Sequence, residues 1–409
     1  MRLLIPLFSP ATGTWGGLTR VIAIAEAARQ AGHEVAFFAS GPLEADLRQH
    51  GYRVYAAPPT TMFGLPTPIS RILERRSQRV SLPVKPGKSI GNIWLVLAMS
   101  GLARAGYLRR LVSAEMEAAR QFRADVLFTD LDPGAFLAAA VTELPIASAY
   151  ASIATQGTGS WPWKLMRRAI APVLQHYGQP ARTPDEICFG PSVLKIIPSI
   201  PELDGADHNR PDVRYVGHLL GDIRATSQVD FQPETGRRYV FVYVGTGSIS
   251  LNTLREVLPQ VFPADGTLAC LVGAQSIERP QRLGAVEFRP YVPAEAVLSR
   301  ADWTICHGGQ NTIIQSLRRG VPLIIFPGAI FERRFNAQKV QEAGAGLMGE
   351  TNNFVVGWLR AALEKQAQCA SNAALLGERI RSYGGALAAL EAIASWKERF
   401  RKGSVGGSS

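Results

Sequence analysis

Short apolar runs alternate with longer amphipathic stretches along most of the chain. "RLLIPLF" (2–8) reads as a buried strand, "LTRVIAIAEAARQAG" (18–32) as an amphipathic helix ended by Gly32, and "HEVAFFAS" (33–40) as the next strand. The alternation continues through "PLEADLRQHG", "YRVYAAP", "ADVLFTD" (124–130), "PGAFLAAAVTEL" and "PIASAY". It lapses over 192–236, where Pro, Gly and Asp are dense, and restarts at "YVFVYVGTGS" (239–248). A helix over 250–261, the strand "TLACLVG" (267–273) and the runs "VEFRPYV", "ADWTICHGG", "GVPLIIFPG" and "GAGLMG" follow. Strands alternating with helices build βαβ units and a parallel, doubly wound sheet. The expected architecture is α/β with two Rossmann-like halves, 1–220 and 239–385, joined by a linker at 221–238. A last helix over 386–402 is expected to return to the first half, ahead of a flexible tail at 403–409.

Length and composition agree with two globular cores: 409 residues exceed one ordinary domain, and 46% are hydrophobic. Cys188, Cys270, Cys306 and Cys369 are widely spaced, which reads as reduced structural thiols in a cytoplasmic protein. The apolar start "MRLLIPLF" reads as a strand and not a signal peptide, and no apolar run is long enough to span a membrane. The net charge of +11 is uneven: Arg71–Arg123 holds eleven Lys or Arg against three Glu, around the apolar stretch "SIGNIWLVLAMSGLA" (89–103). Such a segment can dock peripherally on an anionic membrane, at its inner face; the simpler reading, a buried helix with a solvated basic face, is preferred. Nucleic acid is not an expected partner, because the basic run has little aromatic interleaving and no reading motif.

Two glycine-rich turns compete for the role of phosphate cradle. One follows the first strand, "GTWGGLTR" (13–20); the other lies in the stretch richest in chemistry, "ADWTICHGGQNTIIQSLRRGVPLIIFPGAIFERRFNAQKVQEAGAG" (301–346). There a strand ends at His307, Gly308 and Gly309 leave the backbone open, and Asn311 and Thr312 begin a helix. Backbone N–H groups at a helix start favour an anion, and glycines let it approach. His307 and the Thr312 hydroxyl can donate to pyrophosphate oxygens.

"CHGGQNTIIQSLRRGVPLIIFP" with "FERRFNAQKVQEAGAGL" resembles the donor-site signature of GT-B glycosyltransferases, above all glycosyltransferase family 1, the UDP-glycosyltransferases and antibiotic-modifying enzymes. "GGLTRVIAIAEAARQAGHEVAF", "ADVLFTDLDPGAFLAAAVTELPIAS", "VYVGTGS" and "FRPYVPAEAVLSRAD" extend the likeness over nearly the whole chain, more loosely in the first half. The resemblance implies two domains facing across a cleft, with acceptor on the first and nucleotide sugar on the second. It implies inverting, metal-independent transfer from a UDP- or dTDP-sugar to a small-molecule or lipid acceptor, with no cofactor beyond the co-substrate. His307, Gly308, Gly309, Asn311 and Thr312 would hold the pyrophosphate, and Thr246, Gly247 and Ser248 would line the phosphates. Tyr291 and Val292 would sit beside the base, Gln315 at the ribose, and Glu332 and Arg333 at the sugar; Thr14, Trp15, Gly16 and Gly17 would face the acceptor.

Three departures from the family pattern stand out. Gln315 replaces a Glu that accepts from both ribose hydroxyls, which loosens the grip on a ribose diol and favours a deoxyribose donor more than usual, although UDP remains the first choice. Arg333 stands where the family often has Gln; it can pair an acidic sugar or a phosphate, or be a surface cation. Gly17 occupies the place of the His that deprotonates the acceptor, which leaves Asp130 and Asp132 as candidate bases. The "DLD" they form is discounted as a metal motif, the E-x7-E spacing of Glu342 and Glu350 as coincidence, and His33 and His50 as structural; His176 is a weaker alternative base. Trp94, Trp161 and Trp163, with Trp15, suit a lipid or flat aromatic acceptor. The empty base position keeps a second reading open, a sugar-nucleotide-binding auxiliary protein without transfer; a nucleotide-sugar epimerase is a third.

Overall fold

The computed structural model describes residues 1–7, 15–77, 89, 91–221, 238–244, 248–274, 276–290, 292 and 294–403, with the backbone alone at 15, 16, 71 and 74–77. The first sheet comprises β1 (Arg2–Pro6), β2 (Glu34–Ala39), β3 (Arg53–Ala56), β4 (Val126–Thr129), β5 (Ile146–Ala149), β6 (Val193–Ile197) and β7 (Val213–Tyr215). They lie in the order β3-β2-β1-β4-β5-β6-β7, and each neighbouring pair is parallel. The second sheet comprises β8 (Arg238–Tyr243), β9 (Leu268–Gly273), β10 (Gln281–Leu283), β11 (Val286–Arg289), β12 (Ala301–Cys306), β13 (Leu323–Ile325) and β14 (Gly346–Met348). Its order is β10-β11-β9-β8-β12-β13-β14, parallel except at the β10–β11 edge. Both sheets are doubly wound, so each has a point where successive crossovers leave in opposite directions: between β1 and β4, and between β8 and β12. Ligands of such sheets bind in the crevice at the carboxyl ends of those strands.

Four helices of the first half position its side of the site: α1 (Trp15–Gln30), α2 (Ile93–Met99), α3 (Ala105–Phe122) and α4 (Pro133–Thr142). α1 starts three residues earlier than the apolar period predicts, taking Gly16 and Gly17 of the glycine-rich turn into its first turn. α2 begins at Asn92, whose Oδ1 accepts from Leu95 N at 3.0 Å, and it buries Trp94, Leu97 and Ala98. The apolar stretch inside the basic segment is thus core. No helix among the described residues is long and apolar enough to cross a membrane.

The second half supplies α5 (Gln310–Arg318) and α6 (Phe331–Glu342), and the last helix is α7 (Gly385–Arg401). α7 lies on the first half, where Ala389, Leu390, Ile393 and Trp396 join Val21, Ile24, Ala25 and Ala28 of α1 in one buried cluster. Ile200 and Leu203, just after β6, pack in turn among Ile313, Leu317 and Val340 of the second half. Glu202 and Arg379 pair at 2.7 Å across the same junction. The four cysteines are buried and unpaired.

Trp396 is 2% exposed and joins the last helix to the first. Trp396→Ala is expected to cost about 3–5 kcal/mol, read as a lower urea midpoint at unchanged slope.

Candidate active site

Of the donor-side candidates read from the sequence, the described Ser248 and His307–Thr312 lie near the β8/β12 switch point. β12 ends at Cys306, and His307 follows with Nδ1 3.3 Å from the carbonyl of Tyr243, the last residue of β8. A carbonyl only accepts, so Nδ1 carries the proton and the neutral ring presents a lone pair at Nε2. Burial and the nearby Arg333 cation push the imidazole down to about 4. At neutral pH it can donate to a pyrophosphate only after taking up a proton.

Gly308 needs to be glycine: φ is 87°, and a Cβ would lie 2.8 Å from the carbonyl oxygen of Arg333. That close approach seats the first turn of α6 on the turn after β12, bringing "FERRFNA" against "HGG". Asn336 Nδ2 donates to Gly308 O at 3.0 Å and pins the turn. Gly309 caps α5, whose first turn holds half-buried Asn311 and buried Thr312, with half-buried Gln315 one turn on. Ser248, 7% exposed, donates to Val244 O at 3.3 Å and lies opposite Gly328, the turn after β13. Loops from β8, β12 and β13 therefore meet.

Glu332 and Arg333 are half-buried at the start of α6, and burial lowers the Arg333 guanidinium. Arg334, which the sequence did not single out, is held by Glu350 at 3.1 and 2.7 Å and donates to Gly328 O at 3.2 Å. Glu350 thus anchors α6, while Glu342 pairs Lys339 at 2.8 Å. Val292 is buried against Gly273 at the end of β9. Thr14, Thr246, Gly247 and Tyr291 lie outside the described residues, as does the side chain of Trp15, and Gly16 is described by its backbone alone.

In the first half, the β1/β4 switch point sets Gly17 of α1 against Asp130 after β4. A Cβ on Gly17 would fall 2.1 Å from Asp130 Oδ2. Asp130 therefore packs directly on the backbone of α1 at Gly17. Arg20, one turn along α1, donates through Nη2 to both Asp130 oxygens, at 3.2 and 2.9 Å. Its Nη1 reaches Gln310 Oε1 at 3.4 Å, in the first turn of α5 across the cleft. Arg20 Nε is buried with no hydrogen-bond partner among the described residues. The two switch points face each other through this arginine.

Asp130 and Asp132 are separated by Leu131, held at φ 61°, and have different surroundings. Asp132 is 2% exposed and caps α4, its Oδ1 accepting from Gly134 N at 2.9 Å. Burial pushes its carboxyl up to about 6, and burial beside Asp132 pushes Glu115 well above the carboxylate range. Asp132 belongs to a buried polar pair inside the first core; Asp130 is the carboxylate at the cleft. His176 is exposed at the end of the helix Trp161–His176, its ring 4.8 Å from that of Tyr177. Trp161 is exposed at the start of that helix, and Trp163 is buried with its Nε1 donating to Asp185.

Gly17→Ala is expected to drive Asp130 off its seat and cost about 1–3 kcal/mol by overpacking, measured by chemical denaturation. Gly17→His cannot simply restore a base while Asp130 stays in place.

Residues 240–378 match the profile of the glycosyltransferase family 28 C-terminal domain. The chain is 29% identical over 244 residues, 53% of its length, to a sterol 3-beta-glucosyltransferase of Sclerotinia sclerotiorum, of which it covers 16%. It spans between 11% and 19% of the length of the first four curated relatives it matches. The fold is similar to the glycotransferase of kitacinnamycin, with a TM-score of 0.72, 19% identity and 97% and 98% of the two chains covered. It is also similar to glycosyltransferase VinC in complex with dTDP, with a TM-score of 0.65, 16% identity and 98% and 100% covered. The chain has the two-domain GT-B fold, and its second half matches a glycosyltransferase C-terminal domain.

Proposed function

We propose that this protein is an inverting, metal-independent glycosyltransferase that moves a sugar from a UDP- or dTDP-linked donor to a small-molecule or lipid acceptor. The reading rests chiefly on the convergence of Ser248, His307–Gly309 and Thr312 at one switch point, beneath the start of α5. The helix start, the glycine turn and the His307 ring would meet the diphosphate charge as it leaves. Glu332 and Arg333 stand beside them for the sugar, and Gln315 for the ribose. The dTDP bound by VinC and the Gln at 315 favour keeping a deoxyribose donor alongside UDP. Within the glycosyltransferases, the family 1 likeness of "HGGQNT" and "FERRFNA" favours a natural-product acceptor. In transfer, the acceptor oxygen would attack the anomeric carbon from the face opposite the nucleotide, inverting that centre.

The occupied position at Gly17 also favours the second reading, an auxiliary protein that binds sugar nucleotides without transferring. Mass-spectrometric assay of UDP- and dTDP-sugars with an acceptor panel separates the two: transfer is expected, and binding without product or hydrolysis would support the auxiliary role. His307→Ala is expected to reduce donor affinity and turnover; unchanged binding and rate would overturn the donor site.

The His307 geometry adds a pH dependence. A bound pyrophosphate anion favours the imidazolium and raises its pKa from about 4, so binding takes up a proton. UDP-glucose has no group of its own titrating between about pH 5 and 7. Its affinity should rise as pH falls across that range, by at most about tenfold per pH unit. Calorimetry in buffers of different ionisation enthalpy should show the uptake in the native protein and its loss in His307→Ala.

A further inference from the structure

We infer that the acceptor supplies its own nucleophilic oxyanion: the substrate is a phenol or carboxylic acid that reaches the cleft ionised, and no side chain among the described residues removes its proton. The inference rests on the glycosyl-transfer reading and names the acceptor class within it.

The first observation is how the base position is filled. With Asp130 Oδ2 only 2.1 Å from where a Cβ of residue 17 would stand, the pocket has no room for a basic side chain. Asp130 itself is committed, both oxygens accepting from Arg20 and its side chain 12% exposed. To take a proton it would have to weaken two charge-assisted bonds and leave the Arg20 cation, 16% exposed, without its counter-charge.

Of the other described groups in the first half, His218 after β7 packs against Gly385 at the start of α7, and His176 is exposed at the end of the helix Trp161–His176. Asp132 and Glu115 are buried in the core at 2% and 1% exposure. His33, His50 and His208 precede β2, β3 and β7, at the amino edge of the sheet, opposite the carboxyl ends that face the cleft. The sequence of 8–14 and 78–88 contains no Asp, Glu or His.

A second, independent observation points to an anion. A groove of about 980 Å³ beyond β3 is lined by Pro58, Leu65, Tyr107, Arg104, Arg109 and Arg110, among others. None of the three arginines has an ion-pair partner among the described residues. Apolar rings and prolines beside unneutralised guanidiniums suit an aromatic or amphiphilic acid, and nearby cations lower the pKa of an acidic hydroxyl bound among them.

The step balances without an enzyme base. The acceptor loses its proton to water before binding. Its oxyanion forms the new bond to the anomeric carbon as the bond from that carbon to the diphosphate oxygen breaks, and the electron pair leaves on the nucleoside diphosphate. A neutral alcohol would lack the roughly 10²–10⁴-fold assistance a positioned base gives.

The test uses the native protein with UDP-glucose and dTDP-glucose as donors. The acceptors are 4-nitrophenol, 4-cyanophenol and phenol, in falling order of acidity, and 4-nitrobenzyl alcohol as a similarly shaped neutral hydroxyl. Glucoside formation is followed by mass spectrometry across a pH series. At neutral pH, 4-nitrophenol should outpace the benzyl alcohol by at least about a hundredfold, and the midpoint of the rate–pH curve should move upward with each less acidic phenol. A midpoint fixed at one pH for all three phenols would reveal an enzyme base and overturn the inference. So would transfer to the alcohol within tenfold of 4-nitrophenol, or a donor that binds while none of the phenols is glucosylated. Absence of calorimetric binding by either donor would strike at the glycosyl-transfer reading itself.

Discussion

Parallel strands joined by right-handed crossovers place every functional loop at one end of a sheet, and this protein applies that constraint twice. Each sheet leaves one gap between neighbouring loops, at β1/β4 and at β8/β12, because the crossovers on either side leave in opposite directions. Gly17, Arg20 and Asp130 lie at the first gap; Ser248 and His307 lie at the second. Their meeting follows from strand order before any side-chain contact is considered. Side chains then refine it, through Arg20 reaching Gln310 and Asn336 holding the Gly308 carbonyl.

The two gaps use glycine for different ends. Gly308 adopts a left-handed backbone so that another helix can seat its first turn on it. Gly17 is helical, and its missing Cβ admits a carboxylate. Asp130 gains a guanidinium partner by moving into that space. The first leaves the backbone open at the β8/β12 gap; the second places a closed ion pair at the β1/β4 gap.

Much of this was legible in the sequence. Runs such as "YVFVYVG" and "TLACLVG" are apolar on both faces, which only a strand covered on both sides tolerates. "HGG" followed by "QNT" marks a strand-to-helix turn because glycine and polar caps have few other uses there. The Gly17–Asp130 contact was not legible, since residues 113 positions apart are joined only by strand order. Arg20 left a faint signal, lying three residues beyond Gly17 on the same helical face. Asn336 likewise lies three residues from Arg333. The antiparallel edge strand β10 was missed because "QRL" has neither alternation nor length. The early start of α1 was missed because two glycines argue against a helix until something packs against them.

The return of α7 to the first half has a mechanical consequence. The chain crosses between the halves once through 222–237 and again just before Gly385, where Gly385 N donates to Val216 O at 2.8 Å. A body tethered at one crossing can swing in any direction; a body tethered at two is restrained to rotate about the line through both. Any opening of the cleft would therefore have to keep or break the Gly385–Val216 bond, which makes this second crossing a fixed edge for movement of the two loop sets.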